Sequence, residues 1–132
     1  MPTKEPTPAL AQQAGEKTAI NALVANAQQA LAEFENLDQR TVDIIVETAA
    51  HKAREAHAVL AAEAVTETKR GNFEDKTVKN IFAAEVIAQD LEGQKTVGVI
   101  SRDEFSGIVE VAEPVGVVAA LTPVTNPTST TI

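Results

Sequence analysis

The stretch AEPVGVVAALTPVTNPTSTTI, from Ala112 to Ile132, carries the signals that fix a fold class. Val115, Val117, Val118 and Leu121 form an apolar run without strict alternation, the pattern of a strand buried on both faces of a parallel sheet. Pro123 and Thr125 then make a turn, Asn126 has the chemistry of a helix N-cap, and Pro127 suits the first helical position, where its missing N–H costs nothing. Strand, turn and helix start make half of a βαβ unit. The expectation is an α/β chain whose complete motif would need a continued helix and a returning strand beyond Ile132.

Upstream of this stretch the pattern is first extended and then helical. Thr96–Ser101 and Ser106–Ala112 are β-rich runs separated by Arg102-Asp103-Glu104-Phe105, so residues 96–112 are expected to form a hairpin. Residues 18–95 read as helical. Ile20, Leu23, Val24, Ala27, Leu31 and Phe34 recur at helical spacing up to about Asn36. Asp38 can cap a second helix whose stripe is Val42, Ile45, Val46 and Ala49. No proline or glycine interrupts the chain before Gly71, which allows one helix from about Gln39 to Thr68. Glu74 and Asp75 suit the start of a further helix with Val78, Ile81, Phe82, Ile87 and Leu91 as apolar contacts, and Gly93 is its stop. Residues 1–17, rich in proline and polar side chains, are expected to be a flexible tail.

Composition narrows the function. With 132 residues and 44% hydrophobic content the chain can form one modest core, but four Phe and no Trp or Tyr leave that core to small aliphatic side chains. A net charge of −8 works against binding through phosphate neutralisation, so nucleic acid is not an expected partner. No apolar run is long enough to span a bilayer and the N-terminus has no secretory pattern, so a soluble cytoplasmic protein is expected. There is no cysteine, hence no disulfide, thiolate metal ligand or cysteine nucleophile within the chain. His51 and His57 are too far apart to share a helical face as a ligand pair, and no metal site is expected.

Several ordered segments resemble one family. Glu74-Asp75-Lys76, Val78-Lys79-Asn80, Lys95-Thr96-Val97-Gly98-Val99, Ala112-Glu113-Pro114 and the terminal EPVGVVAALTPVTNPTST are similar to segments of the aldehyde dehydrogenase superfamily. The TNPTST ending points to the CoA-acylating branch, and the set is most similar to the aldehyde dehydrogenase half of the bifunctional aldehyde-alcohol dehydrogenases. The resemblance runs from about Asn21 to Ile132. It implies that residues 113–132 begin a Rossmann-type NAD-binding domain, that residues 96–112 belong to an arm through which subunits pair into a homo-oligomer, and that the second helix divides near Ala53–Glu55. It also implies that Leu121, Thr122, Pro123, Val124, Thr125 and Asn126 line the nicotinamide cofactor site, at the carboxyl end of a strand where open α/β sheets place ligands.

Asn126 is the most informative of these residues. In related non-acylating enzymes an asparagine in this turn, one position earlier between similarly spaced prolines, donates to the developing oxyanion, a contribution worth roughly 3 kcal/mol. Asn126 could equally serve as a helix cap, and both roles are compatible. Gly116 stands alone, so no GxGxxG phosphate cradle is present. Thr128, Ser129, Thr130 and Thr131 offer only hydroxyls and first-turn N–H groups.

The chemistry implied by the resemblance interconverts acetaldehyde and acetyl-CoA with NAD and needs a cysteine nucleophile, which lies well downstream of this motif in the family. The expectation is therefore the N-terminal part of an acylating aldehyde dehydrogenase, inactive alone. The competing reading is a non-catalytic helical module that pairs with full-length dehydrogenase subunits.

Overall fold

The computed structural model describes the backbone of residues 8–132 and the side chains of residues 15–132. The chain divides into two compact units, one containing helix α1 (Pro8–Phe34) and Pro114–Val118, the other Leu37–Glu113 with Ala119–Ile132.

In the first unit, α1 begins at Pro8 rather than at Thr18, so part of the segment expected to be a flexible tail is helical. Proline is tolerated at the first helical position, and Ala9-Leu10-Ala11-Gln12-Gln13-Ala14 are strong helix formers that extend the helix without needing an apolar stripe. Residues 1–7 of the expected tail lie outside the described residues. The Asn36 side-chain amide donates to the Ala32 carbonyl at 2.8 Å and closes the helix end.

The second unit is built on α2 (Gln39–Thr68), which is continuous. The division into two helices expected near Ala53–Glu55 is absent, because neither proline nor glycine breaks the run and Ala, Glu, Lys and Arg all favour helix there. Asp38 caps it as expected, its carboxylate accepting from the Thr41 amide at 2.8 Å. At the other end Lys69 takes a left-handed conformation. Helix α3 (Phe73–Ile81) opens on Asn72, whose side chain accepts from the Asp75 amide at 2.8 Å, with Glu74 and Asp75 in the first turn. It continues through a π-helical turn, Phe82–Ile87, into the short α4 (Ala88–Leu91). Gly93, at φ +76°, then turns the chain away, a conformation costly for any residue with a Cβ.

The apolar stripes are not what holds these helices together. Among the described residues the buried positions are Ala50, Ala61, Ala64 and Ala84 together with Lys76 and Asn80. Val78, Phe82, Ile87 and Leu91 are exposed, as are Ile45 and Val46. Alanines let the helix backbones approach closely, and Arg54 secures the approach by donating to the Ala84 carbonyl of the π turn at 3.1 Å. The wider π turn sets its residues off from the regular helical register.

Strands β1 (Gly98–Asp103) and β2 (Ile108–Ala112) pair antiparallel, as expected, with a register irregularity between Val99 and Ser101. Asp103 builds the turn between them. Its carboxylate accepts from the Phe105 amide at 2.9 Å and from the amide and hydroxyl of Ser106, while Gly107, at φ +72°, returns the chain. Gln39 at the start of α2 ties down the approach to β1, accepting from the amides of Thr96 and Val97 at 2.8 and 2.9 Å.

Residues Val115–Leu121 form no strand and belong to no sheet among the described residues. Val115 and Leu121 are 90% and 99% exposed, so the doubly buried strand expected there is not formed. A strand needs a neighbour to satisfy its backbone and cover its faces, and among the described residues the only sheet is the hairpin. The turn and the helix start that follow are present, with α5 at Pro127–Thr131.

Candidate functional site

One face of α3 holds the turn that precedes α5. Residues 76, 79 and 80 lie three and four positions apart and so share a helical face. Lys76, 4% exposed, extends its ammonium to the Thr125 carbonyl at 2.9 Å. Lys79 donates to Asn126 Oδ1 at 2.7 Å. Asn80, with no exposed surface, donates from Nδ2 to the His57 carbonyl of α2 at 2.9 Å and accepts on Oδ1 from the Thr128 hydroxyl at 2.8 Å. Asn80 therefore connects α2, α3 and α5 through one side chain.

Asn126 occupies the N-cap position of α5: its carbonyl accepts from the Thr130 amide at 3.1 Å, and its own amide bonds the Pro123 carbonyl at 3.1 Å. Its side chain does not cap the helix, which corrects that part of the expectation. The reason is competition. A charged ammonium is a stronger partner for Oδ1 than a first-turn amide, and Lys79 provides one.

Beside this contact lies an open groove of about 520 Å³, lined by Val78, Phe82 and Ala83 on the helical side, by Ser129 and Thr130 of α5, and by Lys79 and Asn126. Its lining is mostly apolar, with polar groups supplied by Lys79, Asn126, Ser129 and Thr130. The residues expected to line a cofactor site meet this groove at one position. Leu121, Thr122, Pro123, Val124 and Thr125 are exposed, and Asn126 is half-buried. Only Asn126 of the six lines the groove. Lys76, Lys79 and Asn80 were not among the expected site residues; their sequence signals were the i, i+3, i+4 spacing of polar side chains and their place in the segments Glu74-Asp75-Lys76 and Val78-Lys79-Asn80.

The histidines stay out of the site. His51 Nε2 lies 3.4 Å from Glu55 Oε1 on an exposed helix face, and His57 Nδ1 faces the Arg54 carbonyl. Hydrogen bonding from Lys52 and its charge, with a smaller effect of His51, hold the Glu55 carboxyl below its ordinary range. Among the described residues no His, Cys, Asp and Glu cluster could hold a metal ion, and no helix is long and apolar enough to cross a membrane.

Aldehyde-alcohol dehydrogenase 2 of Entamoeba histolytica is 54% identical to this chain over 115 residues, covering 86% of this chain and 13% of that protein. The crystal structure of an acetylating aldehyde dehydrogenase from Geobacillus thermoglucosidasius matches the fold with a TM-score of 0.82 at 46% identity, over 86% of this chain and 25% of that one. Over about 85% of its length the chain is thus similar in sequence and fold to one segment of aldehyde-alcohol and acylating aldehyde dehydrogenases. A second acylating aldehyde dehydrogenase relative, the sulfoacetaldehyde dehydrogenase (acylating) of Cupriavidus necator, is 48% identical over 85% of this chain and 23% of its own length. The chain thus spans between about an eighth and a quarter of the length of these relatives. No family model matches it.

Proposed function

We propose that this chain is the opening part of an NAD-dependent acylating aldehyde dehydrogenase that interconverts acetaldehyde and acetyl-CoA, and that the turn Leu121–Asn126 contributes to its nicotinamide site. The observation that carries the reading is the attachment of this turn to α3 through Lys76 and Lys79, in a chain 54% identical to an aldehyde-alcohol dehydrogenase.

The residues fit one end of such a cofactor. Leu121, Pro123 and Val124 stand exposed, so a flat ring could cover them, and Asn126 keeps an amide nitrogen free beside the groove. No glycine-rich cradle for a pyrophosphate accompanies them, so the remainder of the binding surface is assigned to other parts of the parent protein. Bound NAD would accept hydride at this position. The Asn126 amide would face the reacting carbonyl and stabilise charge developing on its oxygen. The nucleophilic thiolate must also come from outside this chain, which contains no cysteine. The parent is placed among soluble, cytoplasmic homo-oligomers, with the β1–β2 hairpin as the pairing arm. Acetaldehyde is preferred over sulfoacetaldehyde because the chain is more similar to the aldehyde-alcohol dehydrogenase than to the sulfoacetaldehyde enzyme.

The test is made in the parent polypeptide. It should reduce NAD when given acetaldehyde and CoA, and Asn126→Ala should lower kcat by about 100-fold. The 132-residue chain alone should show neither turnover nor saturable NAD binding. An unchanged kcat for Asn126→Ala, or dependence on a different redox cofactor, refutes the reading.

A further inference from the structure

The geometry points to Lys79 as a positioning residue that fixes the orientation of the Asn126 amide, holding its oxygen toward α3 and leaving its NH₂ as the group available to a ligand. An asparagine side chain is nearly symmetric in shape but opposite in hydrogen bonding at its two ends, so which end is presented decides whether the site donates or accepts. An ammonium has donors only. With Lys79 Nζ 2.7 Å from Oδ1, the flipped amide would set NH₂ against NH₃⁺ and lose the bond. The alternative anchor, an N-cap bond from Oδ1 to the first turn of α5, is not made. Among the described residues Asn126 Nδ2 has no hydrogen-bond partner, at a residue that lines the groove.

Lys79 is itself exposed, and a long exposed side chain would be a poor anchor by itself. Its reach is set by its neighbours. Lys76 and Asn80, both buried, fix the register of α3 against Thr125 and Thr128, the residues on either side of the Asn126–Pro127 pair. That double attachment holds Asn126 Oδ1 within reach of the Lys79 ammonium. The division of labour is then clear: Lys76 and Asn80 place the turn, and Lys79 sets the sense of one amide.

The purpose of this device rests on the proposed role of Asn126, but its test contains no cofactor or substrate, so the two fail separately. In the ¹⁵N-labelled 132-residue chain, the Asn126 side-chain amide is assigned by its loss in Asn126→Asp, and its order parameter is measured in the unmutated chain, in Lys79→Met and in Lys79→Arg. The unmutated chain should give a rigid value, about 0.8, falling below about 0.6 in Lys79→Met with both proton shifts moving to those of a free asparagine. Lys79→Arg, which also carries only donors, should restore the rigid value. Backbone amide shifts of Thr128 and Thr130 should stay in place in both variants, because Lys76 and Asn80 still hold the turn. An Asn126 amide that is mobile in the unmutated chain, or unaltered in Lys79→Met, overturns the assignment. Should Lys79→Met melt the turn, Lys79→Arg decides: a rigid amide supports a donor role, and a mobile one overturns it.

Discussion

Replacing Asn80 by alanine should destabilise the α2–α3 unit more than any single aliphatic truncation on the exposed faces of its helices. Asn80 has no exposed surface and makes two side-chain hydrogen bonds, to the His57 carbonyl at 2.9 Å and from the Thr128 hydroxyl at 2.8 Å. Each such bond contributes about 1 kcal/mol net. The His57 carbonyl keeps its helical partner one turn on, so it is not orphaned, but removing a fully buried amide leaves a small cavity behind. The total is about 2 to 3 kcal/mol. With a urea slope of about 2 kcal/mol/M for a small protein, the midpoint should fall by about 1 M. The chain has no Trp or Tyr, so far-UV ellipticity in urea is the suitable probe. Asn80→Asp sharpens the test. It sets a buried carboxyl against a carbonyl and loses the donor, so burial raises the carboxyl's folded pKa above its unfolded one. Stability in Asn80→Asp should therefore be greatest at acid pH, where the protonated group can again donate, and should fall as pH rises through the folded pKa. A midpoint for Asn80→Ala within about 0.2 M of the unmutated chain would refute the view that polar contacts hold this unit together.

Hydrogen bonds from the side chain and then the backbone amide of Thr41 hold the Asp38 carboxyl below its ordinary range, so the stability it provides is present at neutral pH and is lost as pH falls through that lowered value; protection of the Thr41 and Val42 amides should drop there, and Asp38→Asn should flatten the profile. The Ser106 hydroxyl, followed by the amides of Ser106 and Phe105, lowers the Asp103 carboxyl in the hairpin turn. Ser106→Ala should return its ¹³C-detected titration toward the ordinary aspartate range, and the Val99–Val111 cross-strand contact of the unmutated chain should weaken with acidification. Leu121 is 99% exposed, so Leu121→Ser should change the urea-derived stability by less than about 0.5 kcal/mol.

The local signals in the sequence were readable because they depend on neighbours along the chain. Asp38 as a cap, Gly93 as a stop and Asn126-Pro127 at a helix start occur where chain-local chemistry puts them, while the hairpin connection falls at Glu104–Gly107 rather than Arg102–Phe105, because Arg102 and Asp103 pair with Val109 and Ile108. Burial was harder to read. Val78 and Phe82 have the spacing of a core stripe yet lie exposed, while Lys76 and Asn80 are inside. Hydrophobic periodicity identifies the face that would gain most from cover, not the face that receives it, and here small alanines and polar bonds determine the approach of α2 and α3. The strand expected at Val115–Leu121 fails for a related reason: β structure is a property of pairs, and an apolar run cannot supply its own partner.

The polar face of α3 also accounts for how the turn is held without a sheet behind it. An apolar contact between α3 and residues 123–128 would tolerate a slide of one helical position at small cost, because dispersion and burial are not directional. Lys76, Lys79 and Asn80 instead meet a carbonyl, an amide oxygen and a hydroxyl, at Thr125, Asn126 and Thr128 respectively. A shift of one residue along α3 rotates its side chains by roughly 100° and would misplace all three contacts together. Their combined value lies in register more than in strength: each is worth little alone, but only one alignment satisfies them all. This gives α3 a reason to carry polar residues on its buried side, where alanine or leucine would bind the turn without specifying where Asn126 sits.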